Sequence, residues 1–262
     1  MSFSIVSWNI NSINARIEHL LILIKKYDPD VICLQEIKSS EEKFPFTILE
    51  DTSYNFYFKG QKGFNGVAIL TKTPAEFVKK DFDGNPLSDE ARFIEVHLTT
   101  KLGFLKIISL YVPNGQEASY ENDKFVKKID FLKSFNEYCK INGDHLNDNI
   151  VIAGDFNIAP YHIDHILLPK EEICTSLEEK LLLRNFINSG WKDHFRLLNP
   201  GLQEFSWWDY RGRSFEKNTG YRIDFIFSNE RSLKSIKRSF IDKDFRALIR
   251  PSDHAPIVSI WE

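Results

Sequence analysis

Cysteine is scarce in this 262-residue chain: Cys33, Cys139 and Cys174 are odd in number, widely spaced, and form no C-x-x-C pair. Neither a disulfide framework nor a thiolate zinc site is therefore expected. No apolar run approaches the roughly 18 residues that a membrane-spanning helix needs. The start, Met1-Ser2-Phe3-Ser4-Ile5-Val6-Ser7, lacks the basic flank and long apolar stretch of a secretory signal. No segment is Gly/Ser-rich or Pro-rich enough to be a linker, and no short tandem repeat occurs, so one domain spanning 1–262 is the simplest division. G-x-S-x-G and G-x-x-x-x-G-K-[ST] are both absent, which removes the usual signs of a serine hydrolase and a P-loop NTPase. An excess of basic charge is missing too: Lys and Arg total 34 against 37 for Asp and Glu, a net charge of −3. Any nucleic-acid surface must then be a local basic face.

Apolar residues, at 42% of the chain, suffice for a sizeable core, with 22 Phe, 9 Tyr and 5 Trp among them. Short β-branched and aromatic runs read as strands: 3–8, 31–34, 67–70, 93–98, 105–111, 150–153, 223–227 and 257–261. Ile17, Leu20, Leu21 and Ile24 fall on one helical face, as do Phe125, Ile129, Leu132 and Phe135 or Asn136. Ser176 with Glu179 three residues on forms a capping box for a third helix, with Leu181, Leu182 and Phe186 as its expected buried side. Strands outnumber helices, so two β-sheets packed face to face with helices outside are expected.

Each apolar run ends in polar residues of one chemical kind. Phe3–Trp8 leads into Asn9 and Asn11, Val31–Leu34 into Gln35 and Glu36, and Leu105–Tyr111 into Pro113-Asn114-Gly115. Ile150–Ala153 leads into Gly154-Asp155-Phe156-Asn157, and Ser252-Asp253-His254 precedes the last strand. Any one of these is ordinarily a turn or a cap. Five together argue for a rim where strand ends converge and ligands bind. Glu, Asp and Asn oxygens suit a hard divalent cation such as Mg²⁺. Asp224 differs, lying inside an apolar run where an unpaired carboxylate is costly. His254 is the expected partner, its imidazole oriented by that carboxylate. The competing reading is a surface Asp on an edge strand.

These motifs, with Leu34-Gln35-Glu36-Ile37-Lys38 and Tyr111-Val112-Pro113-Asn114-Gly115, resemble in order those of exonuclease III and type II AP endonucleases, from about Ser7 to Ile257. Short motifs such as Gly154-Asp155-Phe156-Asn157 and Ser252-Asp253-His254 also occur in DNase I-like nucleases, lipid phosphodiesterases and inositol phosphatases. Two longer tracts narrow the resemblance. Lys59–Ala68 is similar to the family's DNA-contacting loop, and Phe205–Arg211 with Gly220–Asp224 to the segment walling the abasic-sugar pocket.

The resemblance implies a DNase I-like four-layer α/β sandwich with two mainly antiparallel sheets. It implies Mg²⁺-assisted hydrolysis of the DNA backbone 5′ to abasic sites, with 3′-phosphodiesterase and 3′→5′ exonuclease activity; Mn²⁺ is the alternative ion. Glu36 is the principal metal ligand it implies, with Asn11 and Asp253 near the ion. Asp155 orients or deprotonates water, and Asn9 and Asn157 help hold water and phosphate. Tyr111, Asn114 and His254 contact phosphate oxygens, and Asp224 pairs with His254. Whether one ion or two operate, and which residue is the base, stays open. Trp207, Tyr221 and Ile223 form the expected abasic pocket, with Trp208 in the core.

Lys59, Lys62, Arg211, Arg213, Lys217 and Arg222, interleaved with Phe64, Trp207, Trp208, Tyr210 and Tyr221, are expected to grip DNA. The expected partner is double-stranded DNA with abasic sites or blocked 3′ ends, bound by a monomer in a bacterial-type cytoplasm near the nucleoid. A membrane partner is not expected, since no exposed apolar hairpin or basic amphipathic helix is evident. The rival readings are a lipid or inositol phosphate phosphodiesterase on the same scaffold, and a catalytically weak nucleic-acid-binding relative.

Overall fold

The computed structural model describes residues 2–142, 148–166 and 172–262. In chain order its elements are β1 (Phe3–Asn9), α1 (Ile17–Tyr27), β2 (Val31–Gln35), α2 (Phe46–Leu49), β3 (Asn55–Lys59), β4 (Val67–Thr71), β5 (Phe77–Lys79), β6 (Phe93–Thr100) and β7 (Gly103–Tyr111). They continue with α3 (Asp123–Asn142), β8 (Asn149–Asp155), α4 (Leu177–Asn188), β9 (Lys192–Asp193), α5 (His194–Leu198), β10 (Asp224–Ser228), β11 (Ile236–Ile241) and β12 (Ile257–Trp261). Two six-stranded sheets result, ordered β11-β12-β1-β2-β4-β3 and β5-β6-β7-β8-β10-β9. In each sheet a single neighbouring pair is parallel, β1 with β2 and β7 with β8, and the other four pairs are antiparallel.

The sheets face each other across an apolar layer. Ile5, Cys33, Val67 and Ile69 from the first meet Ile94, Ile107, Val151 and Ile226 from the second. Helix α1 closes the outer face of the first sheet with Leu20 and Leu23 against Val6, Ile32 and Leu34. Helices α3 and α4 close the second with Phe131, Phe135, Leu183 and Phe186 against Ile108, Ile152 and Phe225. Four layers follow: helix, sheet, sheet, helix.

Two helical stripes sit a step from their sequence reading. In α1, Leu23 is buried while Leu21 and Ile24 are half-buried; in α4, Leu183 is buried and Leu181 exposed. The capping box is present, with Glu179 N–H donating to Ser176 Oγ and Ser176 N–H to the Glu179 carboxylate. The cysteines are buried and free. Among the described residues, no helix is long and apolar enough to cross a membrane.

One polar group joins the sheets at the end away from the strand tips carrying Asp155 and Glu36. His194 of α5 is fully buried, with Nε2 at 2.7 Å from Ser228 Oγ on β10 and Nδ1 at 3.1 Å from Ser259 Oγ on β12. Burial pushes its pKa down to about 3. A histidine lowered in the folded state contributes full stability above its unfolded value near 6.5, and loses it as pH falls below that point. The loss can reach about 1.4 kcal/mol per pH unit. Between pH 7.5 and pH 5, urea unfolding should therefore show wild type losing about 2 kcal/mol more than His194→Gln. Parallel losses would place the acid sensitivity elsewhere.

Candidate active site

Strand register brings the polar run ends to one rim. Because β1 and β2 are parallel with Asn9 opposite Gln35, Asn9 and Glu36 leave the first sheet side by side. In the second sheet Tyr111 stands opposite Asp155, and antiparallel β10 begins with Asp224 paired to Asp155. The 252–254 turn enters from the first sheet, where Ser252 Oγ donates to Asn9 O (2.7 Å) and Trp8 Nε1 to His254 O (3.1 Å). Asn11, Glu36 and Asn157 hold left-handed φ of 47°, 50° and 52°. Such conformations cost energy in non-glycine residues and concentrate at functional sites.

A cavity of about 170 Å³ opens between the sheets at this rim, walled by Glu36, Tyr111, Asn114, Asp155, Asn157, Asp253 and His254 on one side and by Ile173, Cys174, Trp207, Tyr221 and Ile223 on the other. Asn9 Nδ2 donates to both Glu36 Oε1 (3.0 Å) and Asp155 Oδ2 (2.9 Å), fixing the two carboxylates relative to each other. Tyr111 OH donates to Glu36 Oε1 (2.8 Å), and Asn114 Nδ2 to Asn157 Oδ1 (3.2 Å). The Asn157 backbone N–H donates to Asp155 Oδ1 (2.9 Å). Asn11 Nδ2 and Trp207 Nε1 each hold one oxygen of Asp253, at 2.9 and 3.0 Å.

His254 Nδ1 lies 2.8 Å from Asp224 Oδ2, which also accepts from Ser206 Oγ (2.6 Å). The ring's Nε2 then faces Asp155 at 3.8 Å. Burial opposes charge on this ring, but Asp224 and Asp155 outweigh it and raise the His254 pKa. Burial, with Asp224 close by, also lifts the Asp155 carboxyl above the usual carboxylate range. Glu36 behaves oppositely: burial would raise it, yet the Lys38 ammonium and the Asn9 amide hold it below its ordinary value. Burial and the Glu36 and Asp155 charges push the Tyr111 phenol well up, so it stays a donor.

Trp207 and Tyr221 stack with ring centroids 5.5 Å apart and form the aromatic wall beside Ile223. Trp208 is fully buried in the core. Lys62 and Phe64 lie exposed on the 60–66 loop outside the cavity, and Arg211 is exposed and paired with Asp209 at 2.8 Å. Arg222 departs from the sequence reading: it is fully buried, bonded to Asp164 (2.8 Å) and Asp193 (2.7 Å), and cannot meet a phosphate. Lys59 belongs to β3, with Nζ donating to Ser88 O (2.9 Å).

Several site residues carried no assignment from sequence. Lys38 Nζ bridges Glu36 Oε2 (2.7 Å) and Asn11 Oδ1 (2.6 Å), and the Arg92 guanidinium lies 4.8 Å over the Tyr111 ring. Ser206 and Ser252 anchor Asp224 and Asn9 from distant segments, and Ile173 and Cys174 complete the apolar wall. Lys38, Ser206 and Ser252 lie within motifs the sequence already marked, but nothing local shows what they bond.

Residues 6–254 match the Endonuclease/Exonuclease/phosphatase family. The chain is 37% identical to exodeoxyribonuclease III of Haemophilus influenzae, over 96% of its own length and 97% of that protein. Among solved structures it is similar to an AP endonuclease from Archaeoglobus fulgidus, with a TM-score of 0.92 at 28% identity covering 99% of both chains. The 3′ phosphatase NExo from Neisseria, bound to a product DNA hairpin, gives 0.89 at 29% identity, again covering 99% of each.

Proposed function

The chain belongs to the endonuclease/exonuclease/phosphatase family, and from that premise we propose that it repairs DNA by hydrolysing the backbone 5′ to abasic sites and clearing blocked 3′ ends. It acts as a single-domain monomer on duplex DNA, inside a bacterial-type cytoplasm. The observation carrying this reading is one cavity that joins a phosphate-handling wall, from Glu36 to His254, with the Trp207–Tyr221–Ile223 wall. The Trp207, Tyr221 and Ile223 side chains offer a bare deoxyribose an apolar wall beside the phosphate-handling groups. An abasic sugar also has less stacking to lose on leaving the duplex.

The donor set fits a hard divalent cation. Glu36, Asp155, Asp224 and Asp253 gather in and beneath the cavity against two cationic partners, Lys38 and His254. Asp155, Asp224 and His254 alone place ligand atoms within 4.8 Å of one another. Glu36, Asn11 and Asp253, with Asp155 and Asn157, would hold Mg²⁺ or Mn²⁺ through oxygen. Such an ion, when bound, masks charge on a nonbridging phosphate oxygen and steadies the leaving alkoxide.

The chain's own groups supply the rest. Asp155, with its raised proton affinity, takes the proton of a water held beside Asn157. Asn9 keeps that carboxylate in register with Glu36. His254, with Nδ1 fixed by Asp224, presents Nε2 to a phosphate oxygen, and Tyr111 and Asn114 add donors where negative charge grows. Lys62, Phe64 and Arg211 flank the duplex outside the cavity.

Purified protein with a duplex carrying one abasic analogue tests the reading. Cleavage 5′ to the analogue should vanish in EDTA and return with Mg²⁺. Full activity in EDTA would overturn the metal-assisted mechanism, and absence of cleavage with either ion would overturn the substrate.

A further inference from the structure

Lys128 of α3 has no solvent exposure, although a long cation is costly to bury. Its ammonium has three donors, and all three are used. Nζ donates to the backbone carbonyl of Asn157 at 2.7 Å, to that of Asn114 at 3.2 Å, and to the Glu179 carboxylate. Glu179 is equally buried, and its second oxygen accepts from Ser176 N–H (2.9 Å) and Ser176 Oγ (2.7 Å) at the start of α4. Just upstream, Cys174 O accepts from Ala159 N–H at 2.8 Å. One ion pair thus gathers three segments that wall the cavity: the Asn114 loop, the Asn157 loop and the Ile173–Ser176 approach to α4. The lysine stem fits closely as well. A Cβ at Gly115, whose φ is +75°, would meet Lys128 Cδ at 2.6 Å.

Stability alone does not account for this arrangement, because apolar residues of similar volume commonly replace a buried ion pair at no loss. What an apolar pair cannot do is donate hydrogen bonds to two loop carbonyls at once. We propose that Lys128 and Glu179 are positioning residues, which fix the Asn114 and Asn157 loops relative to Asp155 and so set turnover rather than DNA affinity. The inference rests on the phosphodiesterase reading of the same site.

The test compares wild type with Lys128→Met, Glu179→Gln and the double variant, on abasic duplex and in parallel on bis(p-nitrophenyl) phosphate. Lys128→Met leaves Glu179 buried without its partner and should lower the melting temperature. The double variant has no orphan charge, and its glutamine can keep the helix cap, so the melting temperature should largely recover. Its kcat should nevertheless remain about tenfold to hundredfold down with KM within about threefold, the scale of a misplacement near 1 Å. Glu179→Gln alone, which retains the lysine bonds to both loops, should fall between wild type and the double variant. A double variant with wild-type kcat, or one whose loss lies in KM, would overturn the proposal. If wild type cut only the small diester, the DNA reading would fail while the same kcat ratios still judged the pair.

Discussion

Asp155→Asn should bind abasic duplex within about threefold of wild type while single-turnover cleavage falls by roughly 10²–10⁴, the range for loss of a general base. The substitution is nearly isosteric, but an amide has one oxygen: it can keep either the Asn157 N–H, held on Oδ1 at 2.9 Å, or the Asn9 amide, held on Oδ2 at 2.9 Å, and the other donor then meets an NH2 group. What disappears is the ability to accept a proton. Removing a carboxylate also relieves crowding with Asp224, the neighbour that helps raise Asp155. That relief opposes the one hydrogen bond the amide gives up, so stability should stay within about 2 kcal/mol of wild type and any larger loss would mark a folding defect rather than a chemical one. Gel-resolved single-turnover rates, binding by anisotropy in Ca²⁺, and urea unfolding together decide the matter. A near-normal rate would remove Asp155 from the role of base and turn attention to His254.

The fold was legible where strands are buried on both faces. Eight apolar runs correspond to β1, β2, β4, β6, β7, β8, β10 and β12, the interior strands of the two sheets. The four strands without a matching run, β3, β5, β9 and β11, are the four sheet edges. An edge strand has one neighbour, is often short, and tolerates charge that discourages pairing with other chains. Lys237 and Arg238 in β11 and Lys79 in β5 are of that kind, and β9 has only two residues. The face of α3 is buried as read, whereas those of α1 and α4 lie about one position from their reading, because a 3.6-residue period fixes a stripe's width better than its centre.

Site residues were legible when they ended strands, since the register of parallel neighbours places Asn9 by Glu36 and Tyr111 by Asp155. Which of them bond to one another was not, because the partners lie far apart along the chain. Asn11 meets Asp253 across 242 positions and Ser252 meets Asn9 across 243. No local pattern encodes such pairs. Lys128 was hidden for a related reason: a lysine on a helix is usually solvated, and nothing near it in sequence marks its three acceptors.

Arg222→Ala should cost about 3–5 kcal/mol of stability, the scale for breaking a buried ion pair from one side. Sequence placed Arg222 with the DNA-gripping residues, as a basic group beside the aromatic Tyr221. In the structure it lies beneath the pocket wall, with Nε on Asp164 and Nη1 on Asp193, and its guanidinium 4.5 Å from the Phe225 ring centroid. Arg196 also bonds Asp164, at 2.7 Å, so removal of Arg222 would leave Asp193 as the orphaned carboxylate. The Arg222 backbone N–H donates to Asp164 O at 2.8 Å, tying the 162–165 turn to the chain between Tyr221 and Ile223. Two measurements separate the roles. Urea unfolding should shift by the amount above, whereas the salt dependence of duplex binding should be unchanged where the variant is still folded. A residue that neutralised a phosphate would instead lower the slope of log K against log salt by about 0.9. Small destabilisation with a shallower slope would return Arg222 to the DNA face; large destabilisation with an unchanged slope makes it the buttress of the abasic pocket.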